Sequence, residues 1–360
     1  MRTDDMIDNL SGHYTIKVIK AFGYSDKSIK ALETTAKSLK EVYRYFEPSF
    51  FSGKFYLFKS FSDKVIFDEQ SAIHLYDKNI LINKTSGNIF LQILDGDKML
   101  MWTDQDENTL TSSDEVLTYY FQNNQEFYLA NGETIDITEY NAGSRFASQY
   151  EDLKNALTKF GISKIYRSSC AHFSKSWKDP NRLFFIGLGS GNNVPEKYMQ
   201  LSLYEFLTTY QDFARGINME SSREYNNSGD FTKPKPVDIK ITWRESNRSA
   251  MIEVKFIGTI KKEDGEIYEH SDPRANKGIT QLKGYHDAHL TDLPSTLLKS
   301  YLVIIDGRRN NLTKDMTTIT NDNGMYYKDI DIVIDGDKEF HKSVLGFEKP
   351  IRFFASPTVI

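Results

Sequence analysis

A chain of 360 residues with 39% hydrophobic side chains holds enough apolar matter for two cores of ordinary size. Its net charge of −5 excludes a protein that grips nucleic acid through overall basicity, although a local basic groove needs no such excess. The single cysteine, Cys170, excludes an internal disulfide and a cysteine-rich zinc site. The chain has no apolar run of about 18 residues, and the opening MRTDDMIDNL lacks a signal core, so a soluble protein in a reducing cytoplasm is expected.

Residues 25–46 predict an amphipathic helix. Ser25 or Asp26 can cap it, and Ile29, Leu32, Ala36, Leu39, Val42, Tyr43 and Phe46 recur at helical spacing. From Lys54 to Trp102 the pattern changes to short strands, KFYLF, KVIF, NILIN, NIFLQI and KMLMW. Turn formers such as Thr85-Ser86-Gly87 and Asp95-Gly96-Asp97 separate them, which predicts an antiparallel sheet. A helix is expected near 114–129 and another at 145–160, where Phe146, Tyr150, Leu153, Leu157 and Phe160 form a stripe that Gly161 ends. Residues 1–180 therefore read as a mixed α/β domain with antiparallel strands. No residue in it carries a nameable chemistry, which leaves recognition or regulation as its role.

A boundary is expected between 161 and 195, so that residues 181–360 form a second domain. It opens with the strand-like Arg182-Leu-Phe-Phe-Ile186 and the glycine-spaced Gly187-Leu-Gly189-Ser-Gly191. Pro195 then starts a helix over 195–214, whose apolar face is Met199, Leu203, Phe206, Leu207, Tyr210 and Phe213. Two short strands follow. In the first, Val237, Ile239 and Ile241 point one way and Asp238, Lys240 and Thr242 the other. In the second, Ile252, Val254 and Phe256 share a face, which leaves Met251, Glu253, Lys255 and Ile257 opposite. The polar turn Glu245 to Ser249 folds them antiparallel and brings Asp238 within a residue or two of Glu253 and Lys255. Two carboxylates and an ammonium on one side of a hairpin, with an apolar other side, make a pattern for a metal site. A helix at about 275–290, a strand at Tyr301–Ile305, a strand at Ile330–Ile334 and the tail Ile351–Phe354 complete the domain.

At Pro236-Val237-Asp238 and Glu253-Val254-Lys255 the chain resembles the PD-(D/E)XK nucleases, the restriction-endonuclease-like superfamily. One residue stands between the proline and the aspartate, where the family pattern has none. Gly278-Ile279-Thr280-Gln281-Leu282-Lys283-Gly284-Tyr285 is similar to the glutamine-x-x-x-tyrosine helix of that superfamily's exonuclease-like branch. The resemblance covers residues 195–306 and leaves the first half untouched. It implies an α+β or α/β fold with a restriction-endonuclease-like αβββαβ core. It also implies a Mg²⁺ cofactor, with Mn²⁺ able to substitute, and hydrolysis of phosphodiester bonds in DNA.

A hard cation such as Mg²⁺ takes oxygen ligands and keeps several waters. By resemblance, Asp238, Glu253 and the Val254 carbonyl would hold it, and Lys255 would position the nucleophile and offset charge. The plainer reading is a solvated strand face with a cross-strand ion pair, worth about 0–1 kcal/mol. The superfamily often adds a carboxylate from the preceding helix. At about 100° per residue, Glu196 falls within about 40° of the centre of the apolar face, while Glu205 lies opposite. Glu196 is therefore the added catalytic candidate, against a role as a first-turn acid on the helix dipole; Glu220 and Glu224 are alternatives. Gln281 and Tyr285, four apart on one helix face, would by resemblance orient the site and contact the scissile strand; otherwise they are an exposed amide beside a packed tyrosine. Lys277, Lys283, Arg244, Arg248, Lys233 and Lys235 could contact phosphates or serve as surface charges.

Three other patterns fall short. Gly187-x-Gly189-x-Gly191 lacks the third glycine of a dinucleotide loop, because Asn192 stands there, and a methyltransferase loop wants an acid where Phe185 stands. Asp104-x-Asp106-x-Asn108 with Glu115 imitates a calcium loop, but Thr109 occupies the glycine position. Cys170 and His172 lack a third metal-ligand partner. The expected activity is thus a Mg²⁺-dependent deoxyribonuclease acting on double-stranded DNA. The resemblance also places it in restriction or anti-phage defence, as a homodimer or beside a partner subunit. A catalytically inactive nuclease-fold module that binds nucleic acid or protein is the alternative, and endonuclease or exonuclease action and DNA or RNA preference stay open on these residues.

Overall fold

A computed structural model describes residues 13–23, 25–62, 64–82, 84–111, 115–123, 125–138, 149–165, 178, 183–187, 194–210, 217–221, 237–243, 246–309, 311–318 and 330–355. They belong to two compact units, Met1–Glu151 and Asp152–Ile360, each mixed α/β and built on one sheet. No helix among the described residues is long and apolar enough to cross a membrane.

The first unit begins with α1 (His13–Phe22) and α2 (Asp26–Val42). Ser25 caps α2, its Oγ accepting from the Ser28 N–H at 3.1 Å. The expected apolar stripe is buried: Ile29, Leu32, Leu39, Val42 and Tyr43 join Phe55, Leu57, Leu91 and Tyr119 in one core. The strands are β1 (Lys54–Ser60), β2 (Ile73–His74), β3 (Ile89–Ile93), β4 (Met99–Thr103), β5 (Val116–Gln122), β6 (Gln125–Ala130) and β7 (Glu133–Asp136). They lie in the order β2-β4-β3-β1-β5-β6-β7.

This sheet departs from expectation in three places. It is mixed rather than antiparallel, because β1 pairs β3 in parallel, with Phe55 opposite Ile89. Two predicted strands are absent. Residues 78–81 form a 3-10 turn, and the 64–67 segment lies over the sheet with its backbone tied to one side chain. Gln92 Oε1 accepts the Ile66 N–H at 3.0 Å, and Gln92 Nε2 donates to the Lys64 carbonyl at 2.6 Å. The helix expected near 114–129 is the β5–β6 hairpin, with Thr118 opposite Leu129. Its β-branched and aromatic run suits a pleated surface, and Asn123 turns the chain at φ 51°.

The second unit contains most of α3 (Gln149–Phe160), then β8 (Phe185–Ile186), α4 (Val194–Thr209), β9 (Ile217–Ser221), β10 (Ile239–Trp243) and β11 (Arg248–Lys261). After these come β12 (Ile267–His270), α5 (Asp272–Asp292), β13 (Leu297–Gly307) and β14 (Ile351–Phe354). A division at 180/181 would give α3 to the first half, yet α3 packs on the second. Phe160 lies 5.5 Å from Phe206 and 6.4 Å from Phe353 between ring centroids. Strand order is β14-β13-β11-β10-β9, with β8 and β12 on the far end of β11. β11 runs antiparallel to β10 and parallel to β13. β10 alternates buried and half-buried residues, as its sequence predicts, whereas β11 is buried on both faces over all but its last residue. Strand β11 therefore has no open face: α5 packs through Ala275, Ile279 and Leu282 against Met251 and Ile257 of β11 and Leu302 of β13.

The tail Ile351–Phe354 extends the sheet beside β13, but Ile330–Ile334 is not a strand of it. Side chains at the start of α5 take its backbone groups instead. The Val333 N–H donates to Asp272 Oδ2 at 3.1 Å, and its carbonyl accepts from Asn276 Nδ2 at 2.9 Å.

Asp306, at the end of β13, is fully buried and accepts from two guanidinium groups, Arg308 Nη2 at 2.9 Å and Arg352 Nη2 at 2.7 Å. It ties β13 to β14 and, through the 3.2 Å contact of Arg308 with Asp272, to α5. Removing one member of such a network strands the others in a poor solvent. Asp306→Ala is expected to lower the urea midpoint of the second unit, with a loss of about 3–5 kcal/mol. An unchanged midpoint would show that water reaches both arginines.

Candidate functional site

The ladder between β10 and β11 ends with Ile239 opposite Ile252. One residue earlier in the chain, at a bend, Asp238 takes over from the backbone: its Oδ2 accepts the Val254 N–H at 2.8 Å. The Asp238 N–H donates in turn to the Glu253 carboxylate. Helix α4 fixes the same corner, Gln200 Nε2 donating to the Asp238 carbonyl at 2.7 Å.

Glu253 and Lys255 stand two apart on β11 and so share a face. Lys255 Nζ is 2.5 Å from Glu253 Oε1 and 3.8 Å from Glu196 Oε2. Glu196 lies in the first turn of α4, where its Oε1 also meets the Arg274 guanidinium at 2.8 Å, while Glu205 is exposed. Lys255 is only 7% exposed and Glu253 3%, because α5 lies directly over them. Gly278 makes that approach feasible. A Cβ there would stand 2.7 Å from Lys255 Cγ and 3.0 Å from Leu302 Cδ1. One turn further along α5, Gln281 Oε1 is sealed from solvent with no hydrogen-bond partner among the described residues. Tyr285 follows, half-buried and close enough to feel both carboxylates.

Burial dominates the electrostatics. It pushes the Asp238 carboxyl up to about 8, with the neighbouring Glu253 charge adding to it. Burial also raises Glu253, against the pull of Lys255. For Lys255 burial works toward the neutral amine, but Glu253, Glu196 and Asp238 together outweigh it and hold the ammonium above the ordinary lysine range. Tyr285 is raised to about 12 by burial and then by Glu253 and Asp238. Three acids thus surround one ammonium in a place where charge is poorly solvated.

No family model, curated protein or solved structure matches the chain.

The structure brings Asp238, Glu253, Lys255 and Glu196 to one corner, with Gln281 and Tyr285 on the helix that covers it. Arg248 is a correction: at 1% exposed it is neither a surface charge nor within reach of a phosphate. Lys283 is engaged by Asp287 at 2.5 Å, whereas Lys277 is exposed. Glu220 lies on β9 opposite Lys240. Glu224, Lys233, Lys235, Arg244, Gly189, Gly191, Cys170 and His172 lie outside the described residues. Gly187 packs against β11, where a Cβ would meet Ile260 Cγ2 at 2.5 Å. Asp106 Oδ1 accepts the Asn108 N–H at 3.0 Å, which is the work of a polar turn.

Sequence reasoning passed over Arg274, Gln200 and the role of Gly278. The signal was present in the spacing. Arg274, Gly278, Gln281 and Tyr285 form one stripe on α5, and Glu196 and Gln200 are four apart on α4.

Among the described residues no three His, Cys, Asp or Glu side chains converge as a metal-holding group. Asp238 and Glu253 are the carboxylates at this corner that could hold a cation, and the resemblance would add the Val254 carbonyl. Asp238 Oδ1 takes no hydrogen bond from the described residues, whereas the Glu253 carboxylate accepts from both Lys255 and the Asp238 N–H.

The raised carboxyls carry a linkage. The folded chain binds these protons more tightly than the unfolded chain, so they stabilise it in acid and less as pH rises; for Asp238 the contribution is full below about 4 and is lost as pH rises through about 8. In metal-free buffer, Asp238→Asn is expected to gain thermal stability over the wild type as pH rises from 5 to 8. A melting-temperature difference that stays constant over that range would refute the elevated Asp238 carboxyl.

Proposed function

We propose that the second unit is a Mg²⁺-dependent nuclease that cleaves phosphodiester bonds in DNA. The supporting observation is the corner where Asp238, Glu253 and Lys255 meet under a helix that carries Gln281 and Tyr285. The order α4, β9, β10, β11, β12, α5, β13 supports the αβββαβ core of the resembled superfamily, with β12 as an added strand paired to the end of β11. Burying two like charges together is costly, and replacing them with apolar residues would stabilise the fold. Their presence is better explained by a cation that their oxygen set suits.

Asp238, Glu253 and the Val254 carbonyl would hold the Mg²⁺. When bound, the ion polarises a phosphoryl oxygen and lowers the pKa of water. Asp238 sheds its proton before it can act as a ligand, which favours activity on the alkaline side of neutrality. Lys255, kept charged by three acids, offsets negative charge at the phosphate and positions the attacking water. Glu196 restrains Lys255 from the far side and is itself anchored by Arg274. Gln281 supplies an unused acceptor, and Tyr285 keeps its hydroxyl proton throughout the working pH range and donates to the substrate backbone. A double-stranded substrate would suit a homodimer with two symmetric sites. A cytoplasmic defence role, alone or with a partner subunit, is the setting that the resemblance suggests.

The test is incubation of purified protein with plasmid and Mg²⁺. Cleavage is expected from the wild type, with a loss of at least about a hundredfold in Asp238→Ala and Lys255→Ala. Folding of both variants is checked by circular dichroism. Equal cutting by all three would dismiss the assignment. Wild-type protein that neither cuts nor binds Mn²⁺ in calorimetry would favour a binding-only module.

A further inference from the structure

We propose that the first unit carries a separate binding site for an organic phosphate of nucleotide size. The site is the cavity between α2 and the turn that joins β3 to β4. It shares no residue with the Asp238 corner, so the inference stands apart from the nuclease reading. The cavity measures about 430 Å³, within the range of small-molecule sites.

Its walls are cationic. Lys27 and Lys30, three apart on α2, are surface neighbours, and both are exposed. Neither has an acidic partner among the described residues. Lys59, at the end of β1, brings a third ammonium from the opposite side. Its side chain is only 12% exposed and reaches Asp95 at 3.2 Å, and that aspartate is 78% exposed. Lys27 and Lys30 therefore stand at the cavity without an acidic partner among the described residues, beside the Lys59–Asp95 pair. In a concave site with low-dielectric walls such an excess focuses positive potential, and a phosphate dianion relieves the repulsion among the lysines.

The floor decides the size of the ligand. Ala31, Phe61 and Leu94 line the cavity between the lysines and offer an apolar surface for a planar ring. Inorganic phosphate would leave that surface unused and most of the volume filled with water. A mononucleotide fits both features, its phosphate among the lysines and its base over the Phe61 side.

Calorimetric titration of the full chain in metal-free buffer tests this, with AMP, ATP, adenosine, inorganic phosphate and a short single-stranded oligonucleotide as probes. AMP and ATP are expected to bind one per chain with dissociation constants below about 1 mM, and adenosine and inorganic phosphate at least about tenfold more weakly. The double variant Lys27→Gln/Lys30→Gln should keep its circular dichroism spectrum and lose at least about tenfold in nucleotide affinity. Lys59→Met, which keeps the buried stem, should lose a similar factor. Silence with both nucleotides at millimolar concentration would overturn the proposal, as would equal affinity in the variants. Phosphate binding as tight as AMP would overturn the size assignment. Lysine-dependent binding of the oligonucleotide alone would transfer the cavity to nucleic-acid recognition.

Discussion

Two carboxylates buried side by side repel one another, and the surroundings of Asp238 and Glu253 are arranged to contain that repulsion. Lys255 lies against Glu253, and two backbone N–H groups are spent on the acids, Val254 on Asp238 and Asp238 on Glu253. The exchange of backbone donors for carboxylate acceptors also explains why β10 stops where it does. Past Ile239 the sheet can continue only through a side chain, and that requirement turns the end of the ladder into a corner.

Everything placed over the corner follows from the length of Lys255. Its stem has to cross beneath α5 to reach the acids, so the helix presents glycine at 278 and the apolar Ile279 and Leu282 beside it. Glu196 approaches from α4, and because it is a third acid it needs a cation of its own, which Arg274 supplies from the first turns of α5. A network so arranged leaves few positions to vary one at a time. Exchange of Arg274 would free Glu196 to compete for Lys255, and exchange of Gly278 would displace the lysine itself. The chain thus holds a charged constellation in a region that apolar side chains would fill with less difficulty.

How much of this was legible depended on whether period or partner decided the outcome. The α2 stripe, the β10 alternation and the α5 helix are set by local spacing, and all three could be read from the sequence. The convergence of Asp238 on Glu253 was legible for the same reason, since an antiparallel hairpin of known turn brings them together. What the sequence concealed was tertiary. KVIF looks like a strand, but the side chain of Gln92, remote in the listing, takes its backbone groups. VLTYYFQ and QEFYLA carry a helical scatter of apolar residues, yet their β-branched and aromatic content prevailed once β1 offered an edge. Arg248 reads as a surface charge because arginines seldom lie buried, and nothing near it in the listing announces that β11 is enclosed on both faces.

Lysine is used in the two units in opposite ways, and the contrast explains why each placement carries meaning. Lys255 sits among acids where water is scarce, so its charge is assured and its position is held within tight limits. Lys27 and Lys30 sit in the open without acidic partners, where their charge is assured by solvent and their position is left free. A buried, neutralised ammonium suits a group that must meet a reacting atom at a defined point. Exposed, uncompensated ammonium groups around a cavity suit the capture of an anion that arrives from solution and brings the missing negative charge with it. The overall charge of −5 conceals both arrangements, because what each lysine can do is set by the few ångströms around it and not by the balance of the whole chain.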